Sequence, residues 1–171
     1  MAVVNIHASC VVLARAAAAF DAPEDAGLLL LGKSGCGKSD FALRLIERGA
    51  TLVADDRVEL RVHAERLIAQ APDRLAGLLE VRRAGIIRLP YAAEAAIALA
   101  IALDPPQSGA GGTPRLPEPA WYEPPAPLAL PESARPPLLR LDAFECSAPA
   151  KAILAAAAFA RQRFYDGLKP L

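Results

Sequence analysis

A phosphate-binding loop motif constrains the fold of this chain more than any other feature. Eight consecutive residues fit the pattern G-x-x-x-x-G-K-[ST]: Gly32, Lys33, Ser34, Gly35, Cys36, Gly37, Lys38 and Ser39. The preceding "LLLLG" is apolar and too short for a helix, which indicates a buried strand. The following "KSDFALRLIERG" has apolar residues at helical spacing and Gly49 where a helix C-cap belongs. The sequence therefore predicts a strand–loop–helix unit within an α/β domain.

The spacing of this motif matches the chemistry of holding a triphosphate. Glycines let the loop turn its N–H groups towards phosphate oxygens, and the helix N-terminus adds partial positive charge. In such a site the lysine, here Lys38, reaches the β- and γ-phosphates, and the hydroxyl of Ser39 binds Mg²⁺. We therefore expect ATP and Mg²⁺ as cofactors. The alternatives are a glycine-rich turn without a ligand and, for Cys36, a redox role instead of that of a small residue.

Two adjacent carboxylates end the next predicted strand, "TLVADD". A strand that ends in a carboxylate, such as Asp55, lies close to the metal in phosphate-loop enzymes, and Asp56 can then face the attacking nucleophile. We therefore expect both residues to be catalytic. The alternative is that one of them caps a turn or pairs with Arg57.

Composition and charge narrow the class of protein. The 171 residues favour one domain, 1–171. Nineteen basic residues balance nineteen acidic ones, which argues against nucleic acid as a partner. No apolar run reaches the roughly 20 residues of a membrane span, and the start lacks signal-peptide features. The three cysteines show no metal-ligand spacing and suit a reducing compartment, so we expect a cytoplasmic protein without a membrane partner.

The spacing of apolar residues and the positions of glycine and proline predict the remaining elements. "VVNIHASCVVLARA" predicts a strand or two short strands, residues 57–71 a hairpin, and "GIIRL", "AAIALAIALD" and "PLLRLDAF" further strands. Residues 72–81 suggest a short helix or turn, and residues 148–167 a terminal helix that ends before Gly167. Eleven of the sixteen prolines lie in residues 105–137, which we expect to form an extended loop.

Four blocks in order resemble the catalytic C-terminal domain of HPr kinase/phosphorylase. They are "IHASCV", "GKSGCGKSDFAL", "ERGATLVADDRVEL" and "LLEVRRAGII". The resemblance implies an ATP-dependent protein serine kinase that phosphorylates an HPr-like phosphocarrier, reversible by phosphorolysis that gives pyrophosphate. It also implies a P-loop-containing mixed β-sheet of the HPr kinase and phosphoenolpyruvate carboxykinase type, and a homo-oligomer, namely a hexamer. The sequence looks like the short alphaproteobacterial form without the amino-terminal domain.

The same resemblance implies roles for single residues. Residues 32–39 would bind the nucleotide, with Lys38 catalytic, and Ser39 and Glu80 would hold Mg²⁺. His7 would lie near the transferred phosphate, and Asp56 would be the base that activates the incoming serine. Arg115, in "RLPEP", would correspond to a catalytic arginine.

Some positions depart from the family pattern. Lys33 stands where the family usually has Asp, and Arg83 replaces a glycine. "DAFECSAPAK" takes the place of the family's "PVRPGR" stretch, so the phosphorylase activity is not implied as firmly as the kinase activity. Two other functions stay open at this point: a small-molecule kinase or nucleotide hydrolase with the same loop, and a nucleotide-sensing module without catalysis.

Overall fold

The computed structural model describes residues 2–103 and 118–163. A mixed eight-stranded sheet with the strand order β1-β5-β6-β9-β3-β2-β4 forms its centre, and β10 pairs with β9 beside this path. The strands of this sheet are β1 (Val3–Ile6), β2 (Ser9–Val12), β3 (Ala26–Leu31), β4 (Thr51–Ala54), β5 (Val58–His63), β6 (Arg66–Gln70), β9 (Glu94–Leu103) and β10 (Leu138–Leu141). A separate two-stranded sheet joins β7 (Leu78–Val81) and β8 (Gly85–Arg88). The helices are α1 (Lys38–Glu47) and α2 (Ala148–Arg161).

The strand before the phosphate-binding loop is surrounded by strands of both directions. β3 pairs parallel with β9 and antiparallel with β2, while β9 pairs parallel with β10. A doubly wound fold would place parallel neighbours on both sides of this strand. The sheet is therefore mixed, as expected.

Both faces of the central sheet are covered. Leu28 and Leu30 of β3 pack with α1 and α2, whereas Leu29 points to the opposite face. This alternation follows from the two-residue period of a strand. Because β3 is buried on both faces, its sequence is apolar without interruption.

Part of the proline-rich region covers that second face. Leu128 and Leu130 are buried against β5 and β6, and Tyr122 is partly buried with them. Burial raises the pKa of the Tyr122 phenol. Trp121 instead stays 42% exposed and bridges to Pro137. Residues 118–137 thus form an extended cover, while residues 105–117 of the predicted loop lie outside the described residues.

Most predicted elements are confirmed, and three need correction. Residues 72–81 contain β7 as well as a short 3-10 turn, because the strand pairs with β8 across the Arg83 turn. The terminal helix ends at Arg161, because Gln162 adopts a left-handed backbone; Gly167 lies outside the described residues. The stretch "AAAAFDAPEDA", residues 16–26, reads as a surface loop, but the 3-10 helix Ala14–Ala19 buries Ala16 and Ala17 within it.

Within the described ranges, none of the helices combines the length and apolarity needed to cross a bilayer.

Candidate active site

The phosphate-binding loop joins β3 to α1 with the expected geometry. Gly35 and Gly37 have φ values of 80° and 99°, a region that glycine adopts without steric cost. Gly37 is the N-cap of α1, so the first N–H groups of the helix face the loop. The loop and the helix N-terminus therefore form an anion site.

Lys38 is buried in this loop and its ammonium group has three partners. Its side chain Nζ lies 2.9 Å from the Gly32 carbonyl and 3.0 Å from the Lys33 carbonyl, and both accept hydrogen bonds from it. The third partner is His7 Nε2 at 2.9 Å. An ammonium group has three N–H donors and no acceptor, so Nε2 of His7 accepts and carries no proton. Lys38 is only 6% exposed, and its position is thereby fixed.

His7 connects Lys38 to Asp56. Its Nδ1 lies 3.0 Å from the Asp56 carbonyl oxygen and 3.2 Å from Asp56 Oδ1. Because Nε2 accepts from Lys38, Nδ1 is the protonated nitrogen and donates to Asp56. A chain of hydrogen bonds therefore runs from Lys38 through His7 to Asp56.

Asp55 is buried and accepts hydrogen bonds from three separate elements. Its carboxylate lies 2.5 Å from Ser9 Oγ, 2.9 and 3.0 Å from Ser39 Oγ, and 3.2 Å from the backbone N of Glu80. The residue is 4% exposed. Asp55 therefore ties β2, α1 and β7 together at the floor of the site.

Asp56 points a different way from its neighbour because the backbone turns sharply at this residue. Its φ is 62°, and the Arg57 N–H donates to the Asp55 carbonyl across it at 2.7 Å, which is the pattern of a γ-turn. A non-glycine residue in this region is strained, and such strain persists where the surroundings hold it. The Asp56 carboxylate is 60% exposed and lines the cleft. The alternative pairing with Arg57 is present only as a 4.0 Å contact at the surface.

His7, Lys38 and Asp56 line one cleft of about 310 Å³. Its walls include His7, Lys38, Ser39, Asp56, Glu80 and Phe144. Glu80 lies on β7 with its side chain exposed, and Arg82 reaches over the loop, 3.4 Å from where a Cβ on Gly35 would be. The cleft thus brings together His7, Lys38, Ser39, Asp56 and Glu80 from the predicted nucleotide, metal and catalytic residues.

The residues available for a divalent cation are all oxygen donors. Ser39 and Asp55 are in direct contact, and the Glu80 carboxylate stands at the same cleft. Such donors suit Mg²⁺, which prefers one or two carboxylates together with substrate phosphates and water. In residues 2–103 and 118–163, no group of three or more His, Cys, Asp or Glu side chains forms a metal site of the protein's own.

Of the predicted site residues that the structure describes, Gly32, Lys33, Cys36 and Asp55 do not line the cleft. Arg115 lies outside the described residues. The side chain of Lys33 is exposed, and this position contributes its carbonyl to Lys38 instead.

Three other residues of the site were missed by the sequence analysis. Ser9 gives no signal, because a serine within an apolar strand is as easily a packing residue. Arg82 was visible only as one of several arginines after β7. Phe144 comes more than 100 positions after the loop that it contacts.

Comparison with known proteins shows what this chain is similar to. Residues 23–97 match the family described as HPr Serine kinase C-terminal domain. The resemblance to the HPr kinase catalytic domain is confirmed. HPr kinase/phosphorylase of Peptoclostridium acidaminophilum is 53% identical over 62 residues, which are 36% of this chain and 20% of that protein. The same enzyme of Geobacillus thermodenitrificans is 53% identical over 64 residues, 37% of this chain and 21% of that protein.

The fold extends beyond the matched sequence. The structure of the Hpr(Ser) kinase/phosphatase from Coxiella burnetii superimposes with a TM-score of 0.70 at 21% identity, covering 94% of this chain and 99% of that one. The predicted fold class is thereby confirmed. The chain spans about a fifth of the length of the curated HPr kinase/phosphorylase relatives it matches. His7 and Phe144 lie outside the matched residues 23–97, so their place in the site rests on the structure alone.

Proposed function

We propose that this protein is an ATP-dependent protein serine kinase that acts on an HPr-like phosphocarrier. The observation that carries the proposal is the separation of the two aspartates: Asp55 is buried against Ser39, while Asp56 is turned into the open cleft. Binding of a nucleotide and its Mg²⁺ requires only the first of these carboxylates, Asp55. The second one is free to meet an incoming hydroxyl group.

The nucleotide would lie along the loop with its phosphates on the backbone N–H groups of residues 33–39. Lys38, held by Gly32, Lys33 and His7, would contact the β- and γ-phosphates. Ser39, Asp55 and Glu80 would hold Mg²⁺, which when bound neutralises phosphate charge. Positioning and preorganised charge would supply most of the rate acceleration.

Asp56 would take the proton from the serine hydroxyl of the carrier. The serine oxygen forms a bond to the γ-phosphorus as the bond from that phosphorus to the β-bridging oxygen breaks, and ADP leaves. His7 donates to Asp56 through Nδ1 and so directs its carboxylate. Because Asp56 is exposed, a protein substrate can reach it.

The reverse reaction would use Asp56 as an acid while inorganic phosphate removes the phosphoryl group as pyrophosphate. We expect weak activity or none in this direction, because residues 142–151 replace the family's "PVRPGR" stretch. The proposal includes a cytoplasmic location and a hexamer, as the family resemblance implies.

The test is incubation of the protein with γ-labelled ATP and a purified HPr-like carrier. We expect label on one serine of the carrier, and we expect Lys38→Ala to weaken ATP binding. Free phosphate without carrier labelling would support a hydrolase instead, and ATP binding without any product would support a sensing module. Unchanged ATP affinity in Lys38→Ala would show that the phosphate grip is misassigned.

A further inference from the structure

Phe144 is an exposed aromatic residue at the edge of the cleft, beside the phosphate-binding loop. Its side chain is 69% exposed, yet it lines the cleft. A Cβ on Gly37 would lie 3.2 Å from Phe144 Cζ and 3.0 Å from the Cβ of Ala143. A side chain at position 37 would therefore be a tight fit against this segment, and the ring edge lies beside the loop. Single exposed apolar residues are common on protein surfaces, so the exposure alone means little.

The backbone around Phe144 is fixed to the helix that carries the loop. Arg44 of α1 donates to the Ala143 carbonyl and, at 3.4 Å, to the Glu145 carbonyl. The Phe144 N–H donates to Asp142 Oδ1 at 2.9 Å. The backbone that carries the ring therefore keeps its position relative to the N-terminus of α1, although water reaches most of the ring.

The direction of a bound triphosphate brings its nucleoside to this ring. Lys38 and the Asp56 carboxylate mark the γ-phosphate end, because the lysine contacts the β- and γ-phosphates and the base faces the nucleophile. The chain of phosphates then passes the N-terminus of α1. The cleft wall continues along α1 with Asp40 and Leu43, and Phe144 lies beside Gly37 at the N-terminus of the same helix.

The pairing of charges near the start of α1 is compatible with a triphosphate that points its nucleoside towards Phe144. Asp40 would repel an α-phosphate, but its carboxylate pairs with Arg44 at 3.1 Å. Leu43, one turn further along α1, offers an apolar surface. A carboxylate that is already paired and the apolar side chain of Leu43 suit a sugar and a flat base better than a further charged group.

We propose that Phe144 is the surface on which the base of the nucleotide stacks. This inference rests on the proposed function, since it takes the triphosphate to lie on the loop. Aromatic stacking tolerates any base, and it grows with ring area. Purine nucleotides should therefore bind more tightly than pyrimidine nucleotides, and ATP and GTP should bind alike.

The test compares ATP with inorganic tripolyphosphate, which has the phosphates but no base, by calorimetry on the full chain. Phe144→Ala should weaken ATP binding by roughly tenfold to a hundredfold and leave tripolyphosphate binding unchanged. Phe144→Tyr, which keeps the ring, should bind ATP as the wild type does. Leu154→Ala, at a comparably exposed position on α2 that does not line the cleft, is the matched control and should change neither affinity.

Three results would overturn the inference: unchanged ATP affinity in Phe144→Ala, an equal loss for ATP and tripolyphosphate, or a raised KM for the carrier with ATP affinity intact. The last of these would make Phe144 a carrier contact. Failure of the proposed function is recognised separately, because the carrier would then stay unlabelled by ATP. A misassigned phosphate site would show itself as Lys38→Ala leaving both ligands bound as tightly as before. If Lys38→Ala weakens the binding of both ligands and Phe144→Ala weakens the binding of neither, the loop is supported as the phosphate site. Phe144 is then refuted as the stacking surface.

Discussion

The two ends of the cleft are held in different ways. At the transfer end, formed by His7, Lys38, Asp55 and Asp56, charged and polar groups are paired with one another at distances from 2.5 to 3.2 Å. At the nucleoside end, formed by Asp40, Leu43 and Phe144, the ring is exposed and only its backbone is tied down, through Arg44. At the transfer end, hydrogen bonds hold the side-chain atoms in place. At the nucleoside end, they hold only the backbone that carries an apolar surface.

This difference matches what the proposed function requires of each end. Phosphoryl transfer needs charges in place before the reaction, since reorienting them during it would cost rate. A stacked base needs a flat apolar surface, and small displacements of that surface change the contact little. The phosphotransfer rate should therefore fall sharply when a single polar atom of the transfer end is lost. ATP affinity should fall more gradually when the nucleoside end is altered.

Removing the charge of Asp55 should have the largest effect at the transfer end. Asp55→Asn replaces one accepting oxygen by an NH₂ group among the donors from Ser9, Ser39 and Glu80, so at least one buried donor loses its partner. We expect a loss of about 1–3 kcal/mol in the free energy of unfolding, and a phosphotransfer rate lower by at least about 10²-fold. Chemical denaturation and carrier labelling measure the two effects.

Asp73→Asn, on an exposed 3-10 turn, is the control for Asp55→Asn and should change neither quantity. Wild-type stability in Asp55→Asn would contradict the account of Asp55 as the residue that ties three elements together.

Loss of His7 should lower turnover more than nucleotide binding. His7→Ala removes the group that joins Lys38 to Asp56, while the carbonyls of Gly32 and Lys33 still hold the lysine. We expect kcat to fall roughly tenfold to a hundredfold through misplacement of the base, with a smaller change in ATP affinity. His63→Ala, at the exposed end of β5, serves as the matched control. A fall in ATP affinity as large as the fall in kcat would place His7 in the nucleotide grip alone.

Among these variants, we expect the smallest effect when residues 143–145 lose their hydrogen bonds to α1, and the quantity affected is ATP affinity. Arg44→Ala removes the hydrogen bonds to the Ala143 and Glu145 carbonyls and the ion pair with Asp40. We expect ATP affinity to fall severalfold, because the ring is displaced and not removed, with tripolyphosphate affinity little changed. Arg48→Ala, one turn later at the C-cap of α1 and exposed, is the comparison variant. A loss larger than that of Phe144→Ala would mean that Arg44 itself contacts the nucleotide.

The sequence predicted the transfer end because its residues lie in short motifs with a chemical meaning. The loop from Gly32 to Ser39 and the pair Asp55 and Asp56 have spacings that identify them without the fold. His7 was found only through the family resemblance, since a histidine in an apolar strand has no signature of its own. Its hydrogen bonds to Lys38 and Asp56 depend on β1 and β2 lying in the same sheet as β4, which the sequence does not encode locally.

The nucleoside end could not be predicted in the same way. Phe144 reaches Gly37 because β10 pairs with β9 and the chain then turns back over α1. Such a contact depends on tertiary packing alone. The same reason explains β7, whose four residues "LLEV" become a strand by pairing with β8 and place Glu80 beside Asp55. Propensity over so few residues is a weak guide compared with the packing around them.

The most direct measurement concerns Asp56, on which the proposed kinase function depends. Asp56→Asn keeps the size of the side chain and the reach of its oxygen to His7, but it removes the base. We predict that label transfer from ATP to the serine of an HPr-like carrier falls by about 10²-fold or more, while ATP affinity stays close to that of the wild type. Asp25→Asn, an exposed aspartate before β3, should transfer label normally. Carrier phosphorylation by Asp56→Asn at a rate close to that of the wild type would contradict the account.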